Sequence, residues 1–435
     1  MGSSISIPCP TQRWPFLRTQ INSPTEGQEG LSTLADSAMG TDVPCTDRSP
    51  SPTTPSSVHE LRPADIKVVA AVGDSLTAAN GVGAKTDNIL LVLNEYRGLS
   101  WSIGGDKNIT NVTTLPNILR EFNPSVTGFS KGICKETSPN AFLNQAVSGA
   151  TAGGIPKQVR RLIDTLKSDP TVDFQNDWKL VTLFIGGNDL CQFCNDRVSM
   201  SPQNYSLHMK TSLDMLYREV PRAIVNILEV LEVEGLRKIK RDSLGCNLLQ
   251  KYVCPCFLLA GENSPELDEA KRFNRELQIE TENLVYGGRY EDREDFAVVV
   301  QPFLKNTVVP LDTDGKPDTT YFSVDCFHFS ERGHADMAAA MWNNMLEPVG
   351  KKQTYNDFAN ARNTIKCPTE EHPYIFTKAN SFPPSTTAAP RTVSTVPVWL
   401  AAVLAVTGLL TGFVVSWLLL CCMNKRKKRL TTSAV

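Results

Sequence analysis

The chain has 435 residues, 44 Lys and Arg against 46 Asp and Glu, and 41% hydrophobic residues. With that near balance, no overall basic excess suggests nucleic-acid binding. The apolar share can fill a sizeable core, and the length leaves room for segments outside one domain.

Residues 1–61 are rich in Ser, Thr and Pro and carry no motif or strong periodicity, so they read as a low-complexity, disordered segment. They lack the basic start and apolar run of a signal peptide. Met1-Gly2-Ser-Ser-Ile-Ser6 matches a myristoylation pattern that would put this end in the cytosol. A truncated or alternative start of a longer ectodomain fits the signals further along the chain better.

Lys67–Val72 reads as a buried strand, and Gly73-Asp74-Ser75-Leu76-Thr77 follows it at once. The carboxyl end of a strand is where an α/β sheet gathers its ligands. A serine there can be a nucleophile if a base and an oxyanion hole meet it. In Asn144–Thr151, Gly149 can offer an unobstructed backbone N–H. The apolar run Leu180–Ile185 ends in Gly186-Gly187-Asn188-Asp189, which would project the Asn188 amide from the same sheet edge.

Ser206–Glu234 has helical apolar spacing, with a break or kink expected at Pro221. His208, near its start, is expected to be structural. The stretch 232–262 reads either as a loop shaping a pocket or as a cysteine-tied surface excursion. Leu267–Tyr286 is an amphipathic helix and Phe296–Gln301 a short strand. Of the five histidines, only His328 follows an aspartate at the spacing Asp325-Cys326-Phe327-His328. An aspartate so placed can hold one imidazole nitrogen and leave the other free as a base. Ser330 then reads as a helix N-cap and His334 as an early helix residue outside the site. His59 and His372 flank polar, Pro-rich stretches and are expected at the surface. Strands alternating with helices predict a parallel sheet covered on both faces.

Twelve cysteines and three glycosylation sequons, at Asn108, Asn111 and Asn204, fit the secretory pathway. Crowding argues against sugar on both Asn108 and Asn111. Cys191-Gln-Phe-Cys194 reads as a local disulfide bracing the Asn188 loop. Zinc is disfavoured because Cys254-Pro-Cys256 is too tight a second pair. Residues 366–395 are Ser/Thr/Pro-rich and read as a stalk, a candidate for O-glycosylation. Residues 396–423 carry no charge and are followed by Lys-Arg-Lys-Lys-Arg at 425–429. This predicts a transmembrane helix with a basic cytosolic tail, 424–435, and an extracellular domain ahead of it. Cys421 and Cys422 at the cytosolic edge are candidates for palmitoylation, with plain apolar packing as the alternative. Ser433-Ala434-Val435 fits a C-terminal PDZ-domain ligand.

Gly73–Thr77, Asn144–Thr151, Gly186–Asp189 and Asp325–His328 occur in this order along the chain. The set resembles the SGNH (GDSL-type) lipase and esterase family, closest to its phospholipase B-like branch, over residues 62–365. The resemblance implies an α/β, flavodoxin-like three-layer sandwich with a central parallel sheet. It implies Ser75 as nucleophile, His328 as base and Asp325 as its orienting acid. The oxyanion hole would be the backbone of Ser75 and Gly149 with the Asn188 side chain. No metal or other cofactor is implied. The implied substrates are phospholipids and lysophospholipids, with retinyl esters and glycerides beside them. The implied place is the apical plasma membrane, as a single-pass type I protein. Like the family, the chain lacks a G-x-S-x-G elbow around Ser75; Thr77 occupies the family's second hydroxyl position. Two alternatives stand: a non-phospholipid carboxylesterase such as a carbohydrate O-deacetylase, and a catalytically silent repeat serving as a membrane-bound binding module.

Overall fold

The computed structural model describes residues 39–84, 88–241, 243–356, 358, 361–382 and 407–418. Four strands, β1 (Ile66–Gly73), β2 (Trp178–Phe184), β3 (Ala223–Leu228) and β4 (Phe296–Gln301), form a parallel sheet in the order β1-β2-β3-β4. Nearly every strand residue is buried, including Val, Ile and Leu on both faces, as a parallel sheet covered on both sides requires. Up to residue 382, the α-helices among the described residues are, in chain order, α1 (Ser75–Ala78), α2 (Leu115–Arg120), α3 (Ile155–Ser168), α4 (Gly187–Gln192), α5 (Pro202–Glu219), α6 (Gln250–Val253), α7 (Pro255–Leu258), α8 (Pro265–Tyr286) and α9 (Glu331–Met345). Helix α5 packs between α3 and α8, while α2 packs against α9.

On the far side of β1 from β2, Thr127 and Asn144 form isolated parallel bridges to Val68 and Ala71. The chain therefore leaves β1 to one side, returns, and goes on to β2 on the other. Such a reversal opens a crevice at the carboxyl end of the strand. Here it brings the loops carrying Ser75, Gly149 and Asn188 to one edge. Gly73 lets β1 and β2 end this close together: a Cβ there would lie 2.5 Å from the Phe184 carbonyl oxygen.

Several expectations are corrected. The helical reading of 206–234 overruns. Helix α5 spans Pro202–Glu219, the chain turns at Pro221-Arg222, and Ala223–Leu228 is strand β3. A continuous apolar run satisfies helix and strand periods alike, and only its shortness and β-branching favour the strand. Packed structure also begins before residue 62 and continues past 365. Val43, Val58 and Leu61 are buried, as are Ile375 and Phe376, and Cys45 is joined to Cys367. Sparse apolar residues and one disulfide anchor polar segments that composition alone reads as unstructured.

The chain divides into two compact units, 1–382 and 383–435. In the second, residues 407–418 are helical. Among the described residues, no helix is long and apolar enough to cross a membrane. The rest of the 396–423 run lies outside the described residues, as do Cys421, Cys422, the basic tail and Ser433–Val435.

Candidate active site

Ser75 is the first residue of α1, whose N-cap is Asp74; the Asp74 Oδ1 accepts the Leu76 N–H at 2.9 Å. The His328 Nε2 lies 2.8 Å from the Ser75 Oγ, and its Nδ1 lies 2.6 Å from the Asp325 Oδ2. The other Asp325 oxygen accepts the N–H groups of Phe327 and His328 at 3.1 and 3.0 Å. All three side chains are buried, Asp325 completely. Burial would lower the His328 pKa, but the Asp325 charge and hydrogen bond outweigh it and leave the imidazole above its ordinary value. Burial pushes the Asp325 carboxyl up, but the His328 charge and hydrogen bond, with the two loop amides, bring it below its ordinary value. Both directions favour an ion pair once the imidazole takes a proton. A hydroxyl, an imidazole and a carboxylate so linked can move the Ser75 proton to Nε2.

Of the donors expected for an oxyanion, Asn188 lines the same cleft as Ser75, and Ala150, the residue after Gly149, meets its amide. The Asn188 amide, on the first turn of α4, is held by the Ala150 carbonyl at 2.9 Å, with the Asp74 Oδ2 at 3.4 Å. Gly149 has φ +76°, a left-handed conformation that would cost another residue about 1–2 kcal/mol. Neighbours that the sequence reading passed over fix these loops. Asp189 accepts the Ala152 N–H with both oxygens, at 3.2 and 3.0 Å, tying the Asn188 turn to the Gly149 loop. Burial pushes its carboxyl up to about 6, against the pull of that N–H. Burial likewise pushes Asp74 up to about 7, while the Leu76 N–H and the His328 charge pull it down. The fully buried Arg97 donates to the Asn144 and Ala146 carbonyls at 3.0 and 2.7 Å and pairs with Glu95 at 2.8 Å. Glu95 in turn accepts from the Ser148 Oγ at 2.9 Å. An arginine two residues after a glutamate, amid apolar chain, was the available signal.

His334 sits in α9 and does not touch Ser75; its Nδ1 accepts the Trp101 N–H at 3.1 Å. Burial, aided by the nearby His328 charge, pushes it down to about 3, so it is a neutral structural acceptor. His208 lies on α5, half-buried. His372 is exposed, whereas His59 is half-buried, with Nδ1 2.8 Å from the Thr377 Oγ1. Asn108 and Asn111 are exposed, and the Asn204 amide donates to the Val198 carbonyl at 2.8 Å.

An apolar cleft opens from Ser75 and Asn188, walled by Leu231, Val233, Leu236, Phe327 and Phe329. The disulfides around it overturn the expected Cys191–Cys194 bridge: Cys191 pairs with Cys254, and Cys194 with Cys256. The segment carrying Cys254 lies alongside α4, so the C-x-x-C and C-x-C pairs form two cross-links, which also uses up the thiols of a zinc site. A third disulfide, Cys246–Cys326, holds the loop between Asp325 and His328. The Gln250 amide donates to the carbonyls of both Leu236 and Cys326 at 3.0 Å. The stretch 232–262 is therefore both of the things expected as alternatives, a pocket wall and a cross-linked excursion. It ties the imidazole loop to the helix that carries Asn188.

The protein described as phospholipase B1, membrane-associated, from Homo sapiens is 52% identical over 377 residues, 86% of this chain and 26% of that protein. Its counterparts from Rattus norvegicus and Mus musculus are 47% and 48% identical over 380 and 381 residues, again 86% of this chain and 26% of theirs. The chain thus spans about a quarter of the length of these relatives. The family model described as GDSL-like Lipase/Acylhydrolase matches residues 69–341, which include Ser75, Gly149, Asn188, Asp325 and His328. On that match and those identities, the chain belongs to the GDSL-like lipase/acylhydrolase family.

Proposed function

We propose that this chain is a serine hydrolase of carboxylic esters that releases fatty acids from phospholipids and lysophospholipids. The observation carrying the proposal is the unbroken line from Asp325 through His328 to Ser75, at 2.6 and 2.8 Å, at the mouth of an apolar cleft. Ser75 Oγ attacks the ester carbonyl while His328 Nε2 takes its proton. The Ser75 and Gly149 N–H groups and the Asn188 amide meet the negative oxygen. Collapse of that intermediate breaks the ester bond, and His328 returns the proton to the leaving alkoxide. Water then attacks the acyl-enzyme with His328 again as base, freeing the fatty acid and Ser75. The cleft between Leu231, Leu236 and Phe327 suits an acyl chain.

The charge-free run 396–423 and its basic flank support a single membrane span, with this domain outside the cell and held close to lipid. The described domain would span 39–382, and 383–395 would serve as a short stalk. Glycans would sit at Asn204 and at one of Asn108 and Asn111. Palmitate on Cys421 and Cys422, and a PDZ partner at Val435, would act at the cytosolic end.

A substrate panel tests the reading. Phosphatidylcholine, lysophosphatidylcholine, a triglyceride, a retinyl ester and an acetylated xylan are offered to the full chain and to Ser75→Ala. Fatty-acid release from the first two that is lost in the variant supports the proposal. Turnover confined to the acetylated sugar would replace it with a deacetylase.

A further inference from the structure

The excursion that walls the acyl cleft has an outer face whose chemistry the hydrolytic site does not use. Residues 237–251 of it carry Arg237, Lys238, Lys240, Arg241 and Lys251 against Asp242, while Glu232, Glu234 and Glu262 lie at its two ends, in a chain whose formal net charge is −2. Lys238, Lys240 and Arg241 are exposed. Beside them Leu244 is 60% exposed, in the turn before Cys246.

A second apolar element lies next to this turn. Ile89–Leu93 is a 3₁₀ helix of the sequence Ile-Leu-Leu-Val-Leu, with Leu90 and Leu93 65% and 64% exposed. Residues three apart share one side of a 3₁₀ helix, so these two leucines face the same way. The helix is fixed between the two halves of the active site. The Asn80 amide, just past α1, donates to the Val92 carbonyl at 3.2 Å, and the Gly81 N–H donates to the Asn94 carbonyl at 3.0 Å. Ser323, two residues before Asp325, donates to the Gly81 carbonyl at 2.7 Å. A Cβ on Gly245 would lie 3.3 Å from the Ile89 Cγ2 and 2.2 Å from the Val324 carbonyl oxygen. Leu90, Leu93 and Leu244 therefore belong to one rim, beside the loop that presents His328.

We propose that this rim and the basic outer face of the excursion form a docking surface for a lipid bilayer or micelle bearing anionic phosphate headgroups. The inference rests on the reading of the site as a lipid-ester hydrolase. Exposed leucines beside basic side chains match the two layers of such a surface: the leucines enter the acyl boundary, and the cations meet the phosphates. The inner face of the same excursion, through Leu231, Val233 and Leu236, walls the cleft to Ser75. Docking by the outer face thus places the mouth of the cleft at the lipid, and an acyl chain passes from one apolar environment to another without crossing water.

The test uses the full chain and two variants, L90S/L93S/L244S and K238E/K240E. The tail and its basic end are identical in all three, so differences among them report this face. Hydrolysis is measured on a monomeric soluble ester, p-nitrophenyl butyrate. It is measured also on nonionic detergent micelles carrying phosphatidylcholine, with or without phosphatidylserine. Both variants should match wild type on the soluble ester. The leucine variant should lose about tenfold in kcat/KM on both micelles, and the charge variant about tenfold only where phosphatidylserine is present. Added salt should erase the charge effect. Equal losses on soluble ester and micelles, or unchanged micelle rates, would overturn the proposal. Docking is read separately on the full chain in phosphatidylcholine–phosphatidylserine vesicles, where the 396–423 run would hold every variant, by energy transfer from a fluorescent fluorophosphonate on Ser75 to a headgroup-labelled lipid. Less transfer in both variants supports it, and equal transfer in all three refutes it. Wild-type protein that cleaves the soluble ester and shows the transfer but releases no fatty acid would refute the substrate reading and leave the docking surface standing.

Discussion

Asp325→Asn should harm catalysis more than Asp325→Ala, although asparagine is the closer mimic. In the structure one Asp325 oxygen accepts two backbone N–H groups, at 3.1 and 3.0 Å, and the other faces the His328 Nδ1 at 2.6 Å. Asparagine has only one oxygen. The two loop amides would claim it, because turning the NH₂ toward them sets donor against donor in a fully buried site. The asparagine NH₂ would then face Nδ1 and force that nitrogen to be the acceptor. The ring proton would move to Nε2, 2.8 Å from the Ser75 Oγ, where a base is needed. A wrong-tautomer histidine in a serine triad costs about 10⁴ in kcat, or about 5 kcal/mol. Alanine leaves the ring free to choose its tautomer, so its loss should be smaller. The carboxylate also holds His328 above its ordinary pKa. Activity requires the neutral imidazole, so the acid limb of the wild-type kcat/KM profile should lie above the ordinary imidazole value. It should move to lower pH in Asp325→Ala. The assay is kcat and kcat/KM on p-nitrophenyl butyrate across pH, with folding checked by circular dichroism. An Asn variant as active as the Ala variant, or more so, would refute the tautomer argument.

Three further outcomes are expected. Asn188→Ala removes one oxyanion donor and should lower kcat by about 10²–10³ with KM little changed; a loss below tenfold would remove Asn188 from that role. C246S/C326S opens a loop with a sequence separation of 80 residues and should cost about 4 kcal/mol in urea unfolding. An unchanged midpoint would show that Gln250 and packing suffice to hold the imidazole loop. His334 is held neutral, pushed from 6.5 to about 3, so the unfolded chain takes up a proton below 6.5 that the folded one refuses. Stability should therefore be lost as pH falls from 6.5 toward 3. Asp74 works oppositely: raised from 3.8 to about 7, it weakens the fold as pH rises through that window. His334→Asn keeps an acceptor for the Trp101 N–H and should flatten the acid limb of urea unfolding midpoints against pH; an unchanged slope would contradict this.

Much of the site was legible because its parts lie in short, chemically distinctive stretches. Gly73-Asp74-Ser75 after an apolar run, Gly-Gly-Asn188-Asp after another, and Asp325-x-x-His328 each place a functional group at a strand end or on one tight turn. The parallel sheet followed from alternation, and Leu267–Tyr286 and Phe296–Gln301 agree closely with α8 and β4. What failed depends on distance in space. Strand β3 was absorbed into a helical pattern because Ala-Ile-Val-Asn-Ile-Leu fits either period. Cys191 and Cys194 suggested a local bridge, whereas their partners lie 63 and 62 residues away. The supports from Asp189 and Gln250 act on backbone amides and carbonyls, which carry no mark in the sequence, and only the Glu95-x-Arg97 spacing hinted at the third. The packed segments before Leu61 and after Cys367 hide behind Ser- and Pro-rich composition because a few apolar anchors and one disulfide suffice.

The most direct test is labelling of the purified protein with a fluorophosphonate ester, beside Ser75→Ala, with phosphatidylcholine hydrolysis measured on the same samples. The account predicts stoichiometric labelling of the wild type, none in the variant, and fatty-acid release that vanishes with it. A folded wild-type protein that neither labels nor releases fatty acid would contradict the account and leave a family member that binds without turnover.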